Sequence, residues 1–86
     1  MRLILLIEPD QAERDVLLDE CNRVGLVIAI DDPREACALL QTLKFDLAIV
    51  GQHRLEEPSF STFFSSLRLA SPHTKLLGLP LPSCPP

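Results

Sequence analysis

Glycine is scarce in this sequence, and its three positions lie far apart, at Gly25, Gly51 and Gly78. A loop that cradles phosphate groups needs glycines clustered within a few residues, because only a bare backbone can approach the anion closely. The sequence has no such cluster, so it gives no support to nucleotide binding.

Long apolar runs are also missing. No run approaches the roughly 18 residues that a transmembrane helix requires. The opening "MRLILLI" leads into the acids Glu8 and Asp10 without a small-residue cleavage site, which argues against a signal peptide. These features predict a cytoplasmic protein that does not associate with membranes.

Cysteine is limited to three positions, Cys21, Cys37 and Cys84. An odd number at wide spacing fits neither a disulfide framework nor a cysteine zinc site. Cys21 and Cys37 fall in helical patterns, where cysteine acts as a small apolar residue. Cys84 lies in a proline-rich tail and is expected to be an exposed free thiol.

Basic residues are few and scattered. The chain has 8 Lys and Arg against 12 Asp and Glu, and its formal net charge is −4. Binding to a phosphate backbone requires a clustered basic surface. We therefore expect no direct contact with nucleic acid.

Four apolar segments alternate with three helical patterns, which predicts an α/β fold. The short connections predict a parallel sheet with right-handed crossovers. The strands are expected at 2–7, 26–30, 46–50 and 75–79. The first helix is expected at 11–24, the second from Pro33 onward and the third at about 59–69. Residues 1–80 would form one domain, followed by a Pro-rich tail at 81–86.

Helix boundaries and inner faces can be predicted from local patterns. Asp10 and Asp32 stand where a helix cap is needed, with an acid three residues later, and Gly25 is a natural helix stop. The apolar stripes predict which side chains face the sheet. They are Val16, Leu17, Cys21 and Val24 in the first helix, Ala36, Leu39, Leu40 and Leu43 in the second, and Phe60, Phe63, Phe64 and Leu67 in the third.

Three segments, "LILLIEPDQAERDVL", "DDPREACALLQTLKFDLAIV" and "TKLLGL", resemble the receiver domain of two-component response regulators. The resemblance covers about residues 2–82, which correspond to roughly the first two-thirds of a full receiver. It implies a three-layer, flavodoxin-like parallel sheet with strand order 2-1-3-4, truncated after the fourth strand. The fifth strand with its lysine and the last two helices of the family have no counterpart in this sequence.

The family's functional positions can be carried over residue by residue. Acids after strand one hold Mg²⁺ in the family, and Glu8 falls on the first position, Pro9 on the second, and Asp10 follows. The phosphoacceptor aspartate after strand three corresponds to Gly51. The Ser or Thr after strand four corresponds to Pro80. The resemblance therefore implies a degenerate acidic corner that has lost its phosphoacceptor.

Chemistry supports the same conclusion. Phosphoryl transfer to a carboxylate needs that carboxylate, a divalent cation and a compensating donor, and Gly51, Pro9 and Pro80 supply none of them. Two acids at most would hold Mg²⁺ weakly. We thus predict no enzyme activity, no metal and no cofactor. Asp10 would serve as a helix cap and Glu8 as a solvated strand end.

The polar loop after strand three is expected to be solvated as well. His53 and His73 have no Ser or Cys at a catalytic spacing, so they are interpreted as loop histidines without partners. Glu56 and Glu57 are interpreted as solvated acids. No substitute phosphoacceptor is evident in this loop.

A truncated receiver would leave apolar surface open beside the first helix and at the edge of strand four. Such surfaces mark interaction sites. A homodimer, or another protein partner, could cover both of them. The residues predicted at this interface are Lys75, Leu77, Leu79 and Leu81.

The leading prediction is thus a phosphorylation-independent pseudo-receiver, a protein–protein interaction module in signal transduction or transcription control. One alternative is an N-terminal fragment of a longer response regulator whose effector domain is missing. Another is a small ligand-binding domain on a flavodoxin-like sheet, which is weaker because no convergent polar set is evident at the strand ends.

Overall fold

The computed structural model describes residues 2–80, and it has the predicted α/β architecture. The strands are β1 (Leu3–Ile7), β2 (Leu26–Ile30), β3 (Leu47–Gly51) and β4 (Lys75–Leu79). All neighbouring strands pair in parallel, and the order across the sheet is β2-β1-β3-β4. The predicted fold class and strand order are confirmed, and the layout is consistent with a flavodoxin-like fold.

Three α-helices connect the strands, and they are α1 (Gln11–Cys21), α2 (Pro33–Thr42) and α3 (Ser61–Ala70). Two 3₁₀ segments, Gln52–Glu56 and Pro58–Phe60, lie between β3 and α3 where the sequence predicted a polar loop and the first turn of the third helix. Among residues 2–80, no helix has both the length and the hydrophobicity that crossing a membrane requires.

Both predicted aspartate caps are present. The backbone N–H of Glu13 donates to Asp10 Oδ1 at 2.9 Å, and that of Arg34 donates to Asp32 Oδ1 at 2.9 Å. Pro33 then occupies the start of α2, where a missing N–H costs nothing. The two helices therefore begin where the sequence predicted.

The end of α1 differs from the prediction, because the helix stops at Cys21 rather than at residue 24. Gly25 is not a left-handed cap, since no glycine among residues 2–80 has a positive φ. It lies instead against the backbone before β1. A Cβ on Gly25 would stand 2.5 Å from the carbonyl oxygen of Arg2, which accepts the N–H of Leu26 at 2.8 Å. Gly25 thus permits close packing of two strand ends.

The sheet is covered by helices on both faces. On one face, α2, α3 and the segment Pro58–Phe60 pack over β1 and β3, and on the other face α1 packs over the same strands. The buried residues of the first face include Leu5, Ile7, Ala48 and Val50 of the strands with Ala36, Leu40, Phe60, Phe63 and Leu67. Those of the second face are Ile4, Leu6 and Ile49 with Leu17 and Cys21. The continuous apolar character of β1 follows from this burial on both sides.

Several predicted inward positions are exposed. Val24 lies beyond the end of α1, Val16 lies off the stripe formed by Leu17 and Cys21, and Leu43 is already the C-terminal cap of α2. Cys21 is buried as predicted, and this burial raises the pKa of its thiol. The predicted Pro-rich tail, including Leu81 and Cys84, lies outside the described residues.

Candidate functional site at the carboxyl end of the sheet

The carboxyl ends of β1 and β3 meet the first turn of α1 and the 3₁₀ segment Gln52–Glu56. Ligand sites of open parallel sheets occupy this edge. Glu8 follows β1 directly and its side chain is 0% exposed. His53 and Arg54 follow β3. We call these residues, together with Asp10, Glu13, Arg14 and Glu57, the carboxyl-end cluster.

The centre of the cluster is an ion pair between Glu8 and Arg54. Arg54 Nη2 donates to Glu8 Oε2 at 2.8 Å, and Arg54 Nε donates to Oε1 at 3.3 Å. The backbone N–H of Asp10 also donates to Oε2, at 3.0 Å. A buried carboxylate is costly unless it is paired and hydrogen-bonded. Glu8 meets both conditions.

Arg54 has further acidic partners. Its Nη1 donates to Glu57 Oε2 at 2.6 Å, and its Nη2 stands 3.5 Å from Glu13 Oε2. The hydrogen bond to Glu8 and then that to Glu57 raise the pKa of Arg54 despite partial desolvation. The guanidinium is therefore a permanent positive charge among three carboxylates.

His53 and Glu13 form the outer part of the cluster. His53 Nε2 lies 3.2 Å from Glu13 Oε2, and both side chains are partly exposed. Donor atoms of Glu8, Glu13 and His53 all lie within 4.8 Å of one another. Three separate elements thus direct potential ligand atoms to one point.

Gly51 makes room for this convergence. A Cβ at this position would stand 2.8 Å from His53 Cε1 and 3.1 Å from Glu8 Oε1. These separations are shorter than normal packing distances. A side chain at the end of β3 would therefore push the imidazole and the carboxylate apart.

The structure tests several predictions for this corner. Asp10 is a helix cap, as predicted. The prediction that Glu8 is a solvated strand end is wrong, because the side chain points into the sheet corner and Arg54 covers it. The prediction that His53 has no partner is also wrong, because it lies beside Glu13. Glu57, predicted to be solvated, pairs with Arg54.

The two prolines at the degenerate positions lie on different sides of the corner. Pro9 is exposed and borders a depression with Asp31 and Asp32, away from the ion pair. Pro80 is exposed too, but it lines a shallow depression with Glu13 and His53. Of the positions that the resemblance singles out, the structure thus brings Glu8, Asp10, Gly51 and Pro80 to the cluster.

The sequence patterns do not predict the role of Arg54. The local signal was the spacing of Arg54 and Glu57, since side chains three residues apart meet on one side of a helical turn. Nothing local indicated its contact with Glu8. That contact depends on β1 and β3 being neighbours.

The predicted interface lies at β4, the edge strand of the sheet formed by residues 2–80. Lys75 is exposed, Leu77 is 45% exposed, and Leu79 is half-buried against the α1 side of the sheet. Leu81 lies outside the described residues. On the opposite face of β4, an apolar groove of about 450 Å³ is lined by Leu55, Phe64, Leu67, Arg68, Ser71, Pro72, Thr74 and Leu76.

Comparison of the sequence with protein-family models and with curated proteins gave no match. The chemistry of the site therefore has to be judged from its own residues. Its central carboxylate is already paired, and the end of β3 offers no side chain to modify. The arrangement holds charges in fixed places, and Glu8, Glu13 and His53 are the residues that could hold a metal ion.

Proposed function

We propose that this protein is a phosphorylation-independent pseudo-receiver, a protein–protein interaction module in cytoplasmic signal transduction or transcription control. It has no catalytic activity of its own in this proposal. Its partner is a second copy of the chain, which pairs along β4. The observation that carries the proposal is the apolar outer edge of β4, which no strand of residues 2–80 covers.

The carboxyl-end cluster supports independence from phosphorylation. Gly51, at the end of β3, has no group that could accept a phosphoryl group. Arg54 places its guanidinium at 2.8 Å from Glu8, where it neutralises the buried carboxylate without a metal ion. A fixed internal cation keeps one charge state, so the corner cannot switch in the way that reversible phosphorylation requires.

The backbone of β4 supports pairing. The backbone N–H of Lys75 points toward β3 and donates to the carbonyl oxygen of Asp46 at 3.2 Å. Because backbone groups alternate in direction along a strand, Leu76 and Gly78 direct their N–H and C=O groups to the free edge. Lys75 is the only charged residue in β4, and it stands at the start of the strand. The rest of the edge therefore lacks the charges that usually discourage strand pairing.

Side chains on both faces of β4 favour the same partner. Leu77 and Leu79 extend the apolar surface beside α1, and Leu76 borders the groove beside α3. Antiparallel pairing with a second β4 would continue the sheet and cover these leucines with their own copies. A two-fold interface of this kind is closed, so it gives a dimer rather than a fibre.

The test is the solution mass by light scattering after size exclusion, over a concentration series. We expect a dimer that dissociates on dilution. Leu77→Lys should give a monomer at every concentration, because two lysines would face each other across the two-fold axis. The matched control is Leu69→Lys, which puts the same charge on an 85% exposed leucine of α3.

A monomer at all concentrations of the unmodified chain would overturn the dimer. If Leu77→Lys and Leu69→Lys weaken the dimer equally, the contact between the two copies does not lie at β4. Circular dichroism of each variant separates loss of pairing from loss of the fold.

A further inference from the structure

The carboxyl-end cluster has an outer side that the ion pair between Glu8 and Arg54 does not use. Among residues 2–80, one group of three potential metal ligands has donor atoms that all lie within 4.8 Å of one another. The group consists of Glu8, Glu13 and His53. We propose that these three side chains bind a divalent transition-metal ion of the Zn²⁺ type. Glu13 and His53 are not positions that the receiver resemblance carries over.

The donor spacing fits a tetrahedral ion. Zn²⁺ holds histidine nitrogen and carboxylate oxygen at about 2.0–2.2 Å, so neighbouring ligand atoms stand roughly 3.3–3.5 Å apart. His53 Nε2 and Glu13 Oε2 are already 3.2 Å apart. The third donor, from Glu8, lies within 4.8 Å of both, so the partly exposed side chains of Glu13 and His53 have to move toward it when the ion binds.

Gly51 gives an independent indication of the site. A Cβ there would stand 2.8 Å from the His53 ring and 3.1 Å from Glu8 Oε1. The missing side chain is what lets the imidazole approach the carboxylate oxygen. The two ligands thus converge because the end of β3 is bare.

Arg54 holds one oxygen of Glu8 more tightly than the other. Its short hydrogen bond goes to Glu8 Oε2, which also accepts the Asp10 N–H, whereas its contact with Oε1 is 3.3 Å long. A metal on Oε1 would cost Arg54 this 3.3 Å contact and its 3.5 Å contact with Glu13. The 2.8 Å bond to Glu8 Oε2 and the 2.6 Å bond to Glu57 would remain. The ion pair and the metal can therefore coexist.

Charge favours a dication. Four carboxylates meet two guanidinium groups in the cluster, since Arg14 also reaches the backbone oxygen of Glu8 at 2.9 Å. The surplus of negative charge matches one divalent ion. A histidine ligand favours Zn²⁺, Co²⁺ or Ni²⁺ over Mg²⁺ and Ca²⁺, which prefer oxygen ligands throughout.

The test is a titration with Co²⁺, followed by visible absorption, and with Zn²⁺, followed by calorimetry. All variants carry Cys37→Ser and Cys84→Ser so that the thiols of these two residues do not contribute. We expect one ion per chain, with His53→Ala and Glu13→Gln each weakening binding by at least about tenfold. The matched controls are His73→Ala and Glu20→Gln, which remove an exposed histidine and an exposed acid outside the cluster.

The ring protons of His53 and His73 give a second readout by NMR. Zn²⁺ should shift the His53 signals and leave those of His73 unchanged, and circular dichroism should show that the variants are folded. The proposal is overturned if His53→Ala binds the ions as tightly as the parent chain. It is also overturned if the Co²⁺ spectrum shows thiolate coordination.

Discussion

Arg54 donates to the fully buried carboxylate of Glu8 at 2.8 Å, although the two residues are 46 positions apart in the sequence. This contact joins the ends of two neighbouring strands, since Glu8 follows β1 and Arg54 lies three residues after the end of β3. It fixes the 3₁₀ segment Gln52–Glu56 over the corner. We therefore expect this ion pair to contribute to the stability of the fold and to the shape of the candidate site.

Replacing Arg54 tests that dependence. Arg54→Ala leaves a buried carboxylate without its cation, and breaking a buried pair costs several kcal/mol. Arg54 is 18% exposed, so water compensates in part, and we expect a loss of about 2–3 kcal/mol in the free energy of unfolding. Urea denaturation measures this loss directly.

The control for this experiment is Arg68→Ala, which removes an exposed arginine of α3 and should change stability by less than about 0.5 kcal/mol. Arg54→Lys should fall between the two, because it keeps the charge but cannot donate to both oxygens of Glu8. Equal stability of Arg54→Ala and the parent chain would contradict the role given to the pair.

Two glycines should differ in their response to an added methyl group. In Gly25→Ala the Cβ meets the backbone oxygen of Arg2 at 2.5 Å, so the paired ends of β1 and β2 must move. In Gly51→Ala it comes closest to the ring of His53, which is partly exposed and can turn away. We expect losses of about 2–3 and about 1 kcal/mol respectively, measured by urea denaturation. The reverse order would be inconsistent with the packing described for Gly25.

Asp32 should make part of the stability depend on acid pH. The backbone N–H of Arg34 and then its side chain hold the pKa of Asp32 below its ordinary value of 3.8. A carboxylate with a lowered pKa stabilises the fold above its ordinary pKa, and that contribution disappears as the pH falls through the lower, folded value.

Asp32→Asn keeps an oxygen for the cap but cannot titrate in this range. Its melting temperature should therefore fall less steeply than that of the parent chain below about pH 4. Asp19→Asn, which removes an exposed acid of α1 that caps no helix, serves as the control. Parallel acid profiles for Asp32→Asn and the parent chain would contradict the assignment.

The corner should not respond to a phosphate mimic. Gly51 offers no carboxylate to which beryllofluoride could bind, and Arg54 already neutralises Glu8. Addition of Mg²⁺ with beryllofluoride should leave the amide NMR spectrum unchanged. Saturable shifts around β3 and the segment after it would instead support a switching receiver.

The sequence predicts the parts of this molecule that depend on local patterns. The strands, the parallel sheet and the caps at Asp10 and Asp32 follow from apolar periodicity and from short-range hydrogen bonds. Helix ends are less well predicted. Gly25, for example, packs against the backbone of Arg2 and does not cap α1.

The cluster could not be predicted in the same way. Several acids and arginines could have met at the strand ends, and neighbouring strands decide which of them do. The sequence predicts a solvated Glu8 because the partner of this residue, Arg54, lies after another strand. Only the packed arrangement of β1 and β3 shows that Arg54, Glu57 and His53 surround the same corner.

The proposed pairing of β4 is tested most directly by hydrogen exchange of its individual amides at several protein concentrations. The N–H groups of Leu76 and Gly78 face the free edge, whereas that of Leu77 faces β3. We predict that Leu76 and Gly78 become protected as concentration rises, while Leu77 is protected throughout. Rapid exchange of Leu76 and Gly78 at every concentration, with Leu77 protected, would show an unpaired edge and contradict the proposal.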